Sequence, residues 1–136
     1  MPTKVKIIIR TCNIFLNLHP QSSHKNQKMK ESIKVLEKLI TDNDHITLIS
    51  HFNPDGDAVG STMGMKWFLN SLGKRCQPVL PNPIPKTIDY LDKDGEILYY
   101  TLDKEKVSNI VSESKLIICL DFNKLSRTEW MEELIR

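Results

Sequence analysis

Apolar residues fall along the chain in two alternating rhythms. Ile33, Leu36, Leu39 and Ile40 recur at helical spacing among Glu31, Lys34, Glu37 and Lys38, which predicts an amphipathic helix over residues 30–41. Asp42-Asn43-Asp44 has turn composition, and the continuous run from Ile46 to Ser50 predicts a strand buried on both faces. His51 to Asp57 reads as a loop by its Pro54 and Gly56. Helical spacing returns over residues 58–72 through Met63, Met65, Phe68, Leu69 and Leu72, and Gly73 stands where a C-terminal cap belongs. Met63, Met65, Trp67 and Phe68 read as a core-facing stripe of that helix, and Lys74-Arg75 as a charged cap beyond its end.

The same alternation continues downstream. A strand is predicted near 75–80, a short helix from Lys86 to Leu91, a strand from Glu96 to Tyr100, a helix over 103–113 and a buried strand from Lys115 to Leu120. Thr128 to Ile135 predicts a last helix, with Thr128 as its N-cap and Glu129, Glu132 and Glu133 in its opening turns. It meets the end of the chain at Arg136 without a stop signal, so a truncated sequence is expected. Strands alternating with helices imply an α/β fold, a parallel sheet with helices on both faces.

Composition narrows this picture. With 136 residues, 40% hydrophobic and 26% charged, the chain suits one modest globular domain. The N-terminal clusters Ile7-Ile8-Ile9 and Ile14-Phe15-Leu16 are split by Arg10 and Asn13, so neither a membrane span nor a secretory signal is read, and the expected location is cytoplasmic. Cys12, Cys76 and Cys119 are odd in number and widely spaced, which suggests neither a disulfide framework nor a zinc site. Residues 1–28 carry Lys4, Lys6, Arg10, Lys25 and Lys28 and no acid. The other 108 residues carry 14 basic against 17 acidic side chains, so the basic balance belongs to the leader alone. Residues 1–28 are therefore expected to be a basic leader, disordered or not native, with Met29 as the true start and the domain running over 29–136. A tail that contacts RNA or phosphates is the functional alternative for the leader.

In open parallel sheets, ligands gather beyond the carboxyl ends of the strands. His51, Asp55 and Asp57 follow the first buried strand, and Asp121 follows the strand ending at Leu120. Two carboxylates about 4 Å apart repel by roughly 4 kcal/mol at an effective dielectric near 20. Three beside one imidazole need a shared proton or a cation, and such an oxygen-rich set suits Mn²⁺ or Mg²⁺ better than structural zinc. Gly56 allows a tight turn, Asp57 could cap the next helix, and Gly60 and Ser61 fall in its expected first turn, where free N–H groups could receive a phosphate oxygen. Pro-Asp-Gly-Asp alone is an ordinary turn. The whole constellation, with Asp121 after a second buried strand, is harder to read as architecture only.

Residues 49–61, Ile-Ser-His-Phe-Asn-Pro-Asp-Gly-Asp-Ala-Val-Gly-Ser, closely resemble the first motif of DHH phosphoesterases, and Cys119-Leu-Asp-Phe-Asn123 resembles their second. The likeness covers residues 29–136 and is greatest to the bifunctional oligoribonuclease and phosphoadenosine-phosphate phosphatase branch, also called nanoRNase. It implies that His51 and Asp55 bind a first divalent cation, Asp57 a second, and that Asp121 bridges them. It implies two cations, Mn²⁺ ahead of Mg²⁺, about 3.5–4 Å apart and acting on an in-line displacement at phosphorus. The implied substrates are short RNA oligonucleotides or 3′-phosphoadenosine 5′-phosphate, with no membrane partner, and the resemblance admits a homodimer in the full-length protein. Asn53, Gly60, Ser61, Asn123 and Arg127 are candidates for holding phosphate or substrate.

The Asp-His-His motif that names the family should follow Asp121 by a few tens of residues, and no adjacent His pair occurs; the other histidines are His19, His24 and His45. The expectation is an active full-length enzyme, little activity from these 136 residues alone, and weak metal binding. The alternative is a noncatalytic nucleotide-binding regulatory α/β module. A dinucleotide oxidoreductase is excluded by the missing Gly-x-Gly-x-x-Gly. An aspartyl-phosphate phosphatase is excluded because His51 to Pro54 separate the strand from its acids.

Overall fold

The computed structural model describes residues 5–9 and 23–136. In chain order its elements are β1 (Val5–Ile9), α1 (Ser23–Asp42), β2 (His45–Ile49), α2 (Gly56–Ser71), β3 (Arg75–Leu80), a 3₁₀ helix (Lys86–Asp92), β4 (Leu98–Tyr99), α3 (Lys104–Glu113), β5 (Leu116–Leu120), a second 3₁₀ segment (Leu125–Met131) and α4 (Glu132–Ile135). The five strands form one sheet in the order β1-β5-β2-β3-β4, and every pairing is parallel.

The two-residue period of a strand divides the core between the two faces of the sheet. Leu116, Ile118 and Leu120 of β5 pack with Ile46 and Leu48 of β2, Ile40 of α1 and Leu69 of α2. Ile117 and Cys119 point the other way, to Val107 and Val111 of α3 and to Phe122, Met131 and Ile135. All five residues of β5 are buried, as the continuous apolar run requires of a central strand. Val59 and Met63 of α2 pack on Leu80 and Ile97. The expected α/β fold, a parallel sheet covered on both faces, is therefore the observed one.

Several local expectations need correction. Val5–Ile9 lies in the leader expected to be without structure, yet it pairs with β5 from Val5↔Leu116 to Ile9↔Leu120. Its β-branched composition suits a strand, and the edge of β5 offers backbone groups that need partners. The rest of that expectation, over residues 1–4 and 10–22, lies outside the described residues. Helix α1 begins at Ser23 rather than near residue 30, because Lys and Gln in the polar run tolerate helix well.

In α2 the buried positions are Ala58, Val59, Thr62, Met63, Lys66 and Leu69, whereas Trp67 and Phe68, expected in the core, are 57% and 54% exposed. The buried stripe includes two polar residues, one partnered within the helix and one across the fold. Thr62 Oγ1 donates to the Ala58 carbonyl at 2.7 Å, and Lys66 Nζ lies 2.8 Å from Glu96 Oε2. Gly73 does end α2 in the left-handed region at φ 76°, with the Schellman pair Gly73 N–H to Asn70 O and Lys74 N–H to Leu69 O. Lys74 reaches past the helix end to the Thr41 carbonyl and to Asp44, joining α2 to α1. Thr128 caps no helix: its Oγ1 donates to the Leu125 carbonyl, and α4 begins only at Glu132.

Candidate metal centre

His51 and Asp121 are neighbours because the strands that carry them are in register. Strands β2 and β5 pair with Ile49 opposite Cys119, and the next residues, Ser50 and Leu120, are linked by a 2.8 Å hydrogen bond from Ser50 Oγ to the Leu120 carbonyl. One residue further, His51 Nε2 lies 3.6 Å from Asp121 Oδ2. Parallel strands stand about 4.7–4.9 Å apart, so the alignment delivers the pair to contact distance without any long loop.

Asp55 arrives by another route, as the N-cap of α2. Its Oδ1 accepts from the Ala58 N–H at 2.9 Å, and its carbonyl accepts from Val59 N–H at 3.0 Å. The carboxylate thus rests at the positive end of a 16-residue helix, where negative charge is favoured. Oδ1 also lies 4.0 Å from His51 Nε2. One ligand atom each from His51, Asp55 and Asp121 falls within 4.8 Å of the others.

The hydrogen bonding of His51 fits this group to a cation. Its Nδ1 lies 2.9 Å from the Phe52 carbonyl, which can only accept, so Nδ1 carries a proton, and the neutral form that a metal requires would turn its Nε2 lone pair to the two carboxylates. The His51 side chain is 6% exposed and that of Asp121 23%, whereas Asp55, at 65%, faces solvent. In that neutral form a divalent cation would satisfy the lone pair and both carboxylates at once. Ligand bonds of about 2.0–2.2 Å place ligand atoms up to about 4.3 Å apart, so the observed set needs only small adjustment.

The structure distributes the remaining candidates differently. Asp57 is exposed in the first turn of α2 and is not among the three residues that converge; the helix is capped by Asp55, because α2 starts at Gly56. That early start moves Gly60 and Ser61 beyond the first turn, and Ser61 Oγ bonds back to the Ala58 carbonyl. The amides free of intrahelical partners are then those of Gly56 and Asp57. Asn53 sits at φ 51°, and its N–H donates to Asn82 Oδ1 at 2.8 Å while Asn82 Nδ2 donates back to Asn53 Oδ1. Asn123 and the Arg127 side chain are exposed; the Arg127 carbonyl accepts from the Phe52 N–H at 2.8 Å.

Two positioning residues escaped the sequence reading. Ser50 looks like any strand-end serine, and Asn82 is one polar residue in a Pro-rich link; only the fold shows that they pin the rim of the centre. Two open cavities, of about 290 and 490 Å³, both lie against Arg75, Cys76 and Gln77, and neither is lined by a residue of the centre.

Comparisons with known proteins bear on the family and the fold. Residues 45–135 match the DHH family, N-terminal domain. The crystal structure of an exopolyphosphatase-related protein from Bacteroides fragilis aligns with a TM-score of 0.75 and 33% sequence identity over 78% of this chain. This chain spans 31% of the length of that one. Comparison with curated proteins gives no match.

Proposed function

The chain belongs to the DHH family, and from that premise we propose that it is part of a two-metal phosphoesterase hydrolysing short RNA oligonucleotides or 3′-phosphoadenosine 5′-phosphate. The observation that carries the reading is the convergence of His51, Asp55 and Asp121 beyond the carboxyl ends of β2 and β5. The fold shared with an exopolyphosphatase-related protein supports phosphate chemistry in general.

In this reading His51, Asp55, Asp57 and Asp121 would together hold two divalent cations, with Mn²⁺ expected ahead of Mg²⁺. Cations held there supply Lewis acidity toward a phosphoryl group. The residues of the chain do the rest. His51 is oriented by the Phe52 carbonyl, Asp55 by the helix it caps, and Asp121 by its strand register. The amides of Gly56 and Asp57 offer an anion a place at the same helix end, and the exposed Asn53, Asn123 and Arg127 are polar groups around that rim. No adjacent His pair lies within the 136 residues, so little turnover is expected from them alone.

The test is hydrolysis of a short RNA and of phosphoadenosine phosphate by the full-length protein with Mn²⁺, beside Asp57→Ala and Asp121→Ala. Metal-dependent activity lost in both variants is expected. Nucleotide binding that ignores divalent metal, without turnover, would replace this reading with a noncatalytic binding module.

A further inference from the structure

We propose that Phe52 and Trp130 form a nucleobase-stacking subsite beside the His51, Asp55 and Asp121 cluster, taking the base of a nucleotide whose phosphate lies at that cluster. The proposal rests on the phosphoester reading above and adds a determinant that distinguishes nucleotides from base-free phosphates.

The Phe52 backbone is held between the metal centre and the Leu125–Met131 segment. Its carbonyl accepts from His51 Nδ1 at 2.9 Å, and its N–H donates to the Arg127 carbonyl at 2.8 Å. The rings of Phe52 and Trp130 then meet edge to face, with centroids 5.2 Å apart and planes at 82°. In that arrangement neither ring covers both faces of the other, and Trp130 is 58% exposed. An indole held beside a phosphate site with a face open to water is what base stacking requires, and it tolerates any base because every base has a π-face.

The backbone is shaped to keep Trp130 outside. Glu129, immediately before it, adopts φ 48° and ψ −118°, a conformation rare for a residue with a side chain. Thr128 on one side and Met131 on the other are fully buried. These two anchors hold a strained, exposed Glu129-Trp130 pair between them. The strained turn buries Thr128 and Met131 while it leaves Trp130 outside the core. The other exposed aromatics among the described residues are Trp67 and Phe68, at the far end of α2 from its Asp55 cap, and Tyr90 of the first 3₁₀ helix.

The experiment compares adenosine 5′-monophosphate with ribose 5-phosphate, which share the phosphate and sugar and differ by the base. Affinities are measured by titration calorimetry with Mn²⁺ for the full-length protein, unaltered or carrying Trp130→Leu or Trp130→Phe, together with Mn²⁺ affinity alone. The unaltered protein should favour the nucleotide by about tenfold, in line with the usual worth of one stacked base. Trp130→Leu should bring that ratio close to one, Trp130→Phe should keep most of it, and neither should change the affinity for Mn²⁺ or ribose 5-phosphate. A purely structural Phe52–Trp130 contact would instead weaken both ligands together. Mn²⁺-dependent binding of both ligands with a ratio near one, or a ratio unmoved in Trp130→Leu, overturns the stacking subsite and leaves the metal reading intact. A high, Trp130-dependent ratio that ignores Mn²⁺ supports stacking and overturns the metal reading. Failure of both ligands to bind overturns both.

Discussion

Ser50 Oγ donates to the Leu120 carbonyl at 2.8 Å, and the residues that immediately follow this pair, His51 and Asp121, face each other at 3.6 Å. The hydrogen bond is buried and spans 70 residues of sequence, so it ties the ends of β2 and β5 where two ligands of the centre emerge. The geometry of the candidate centre is thus a consequence of strand register.

Removing that tie should loosen the centre without removing a ligand. Ser50→Ala forfeits a buried hydrogen bond worth about 1 kcal/mol and leaves a carbonyl less well satisfied. Denaturant unfolding should report that loss, and Mn²⁺ titration should show weaker binding. Unchanged Mn²⁺ affinity in a destabilised Ser50→Ala protein would mean that register alone places His51 and Asp121.

Asp55 has two duties that substitutions can separate. Asn is as good an N-cap as Asp but carries no charge, so Asp55→Asn should keep its stability in chelator and lose the stabilisation by Mn²⁺. Asp55→Ala should lose both, with a further cost of about 1 kcal/mol for the missing cap. Thermal unfolding with EDTA and with Mn²⁺ separates the two; equal stability of Asn and Ala variants in EDTA would contradict the cap.

Much of this was legible in the sequence, for identifiable reasons. The apolar runs at Ile46 to Ser50 and Lys115 to Leu120 gave the buried strands almost to the residue, because a central parallel strand leaves no polar alternation to blur it. His51, Asp55 and Asp121 were visible because each follows a buried strand, whereas the helix cap expected at Asp57 belongs to Asp55. What failed was the reading of α2. Its buried stripe contains Thr62 and Lys66, whose polar atoms find partners inside the fold, so hydrophobicity pointed to Trp67 and Phe68 instead. The strand Val5–Ile9 was missed because its partner lies more than a hundred residues away and nothing local announces the pairing.

Asp121 adds a backbone constraint to its chemical one, since it sits at φ 64°. Asp and Asn tolerate this left-handed region better than other residues with a side chain. Asp121→Asn should therefore fold as well as the parent in EDTA, and Asp121→Ala should be less stable than Asp121→Asn by about 1 kcal/mol. Both relieve the same carboxylate repulsion, so their difference holds the backbone preference together with any hydrogen bond that the Asn amide keeps. Neither should gain from Mn²⁺, whereas the parent at 100 times its Kd should gain about 2.7 kcal/mol. A Mn²⁺-dependent rise in Tm for either variant would remove Asp121 from the ligand set.

Cys76 provides a test at the opposite end of β3, independent of metal. Burial pushes its thiol up to about 12 from 9.0, while Lys66 pulls weakly the other way. A raised acid keeps its proton in the folded chain and releases it on unfolding, so the unfolded state binds fewer protons once the pH exceeds 9.0. The stability this contributes is complete below pH 9.0 and declines as the pH rises from there toward 12. Cys76→Ala cannot titrate, so whatever its absolute stability, its loss between pH 8 and pH 10 should be smaller than the parent's by on the order of 1 kcal/mol. Other thiols contribute equally to both proteins and cancel in the comparison. The same raised thiol should resist alkylation in the native chain at pH 8, because the thiolate is the nucleophile, and react readily once denaturant exposes it. Parallel losses of stability in the two proteins, or rapid native alkylation at Cys76, would show that the thiol is not held protonated by its burial.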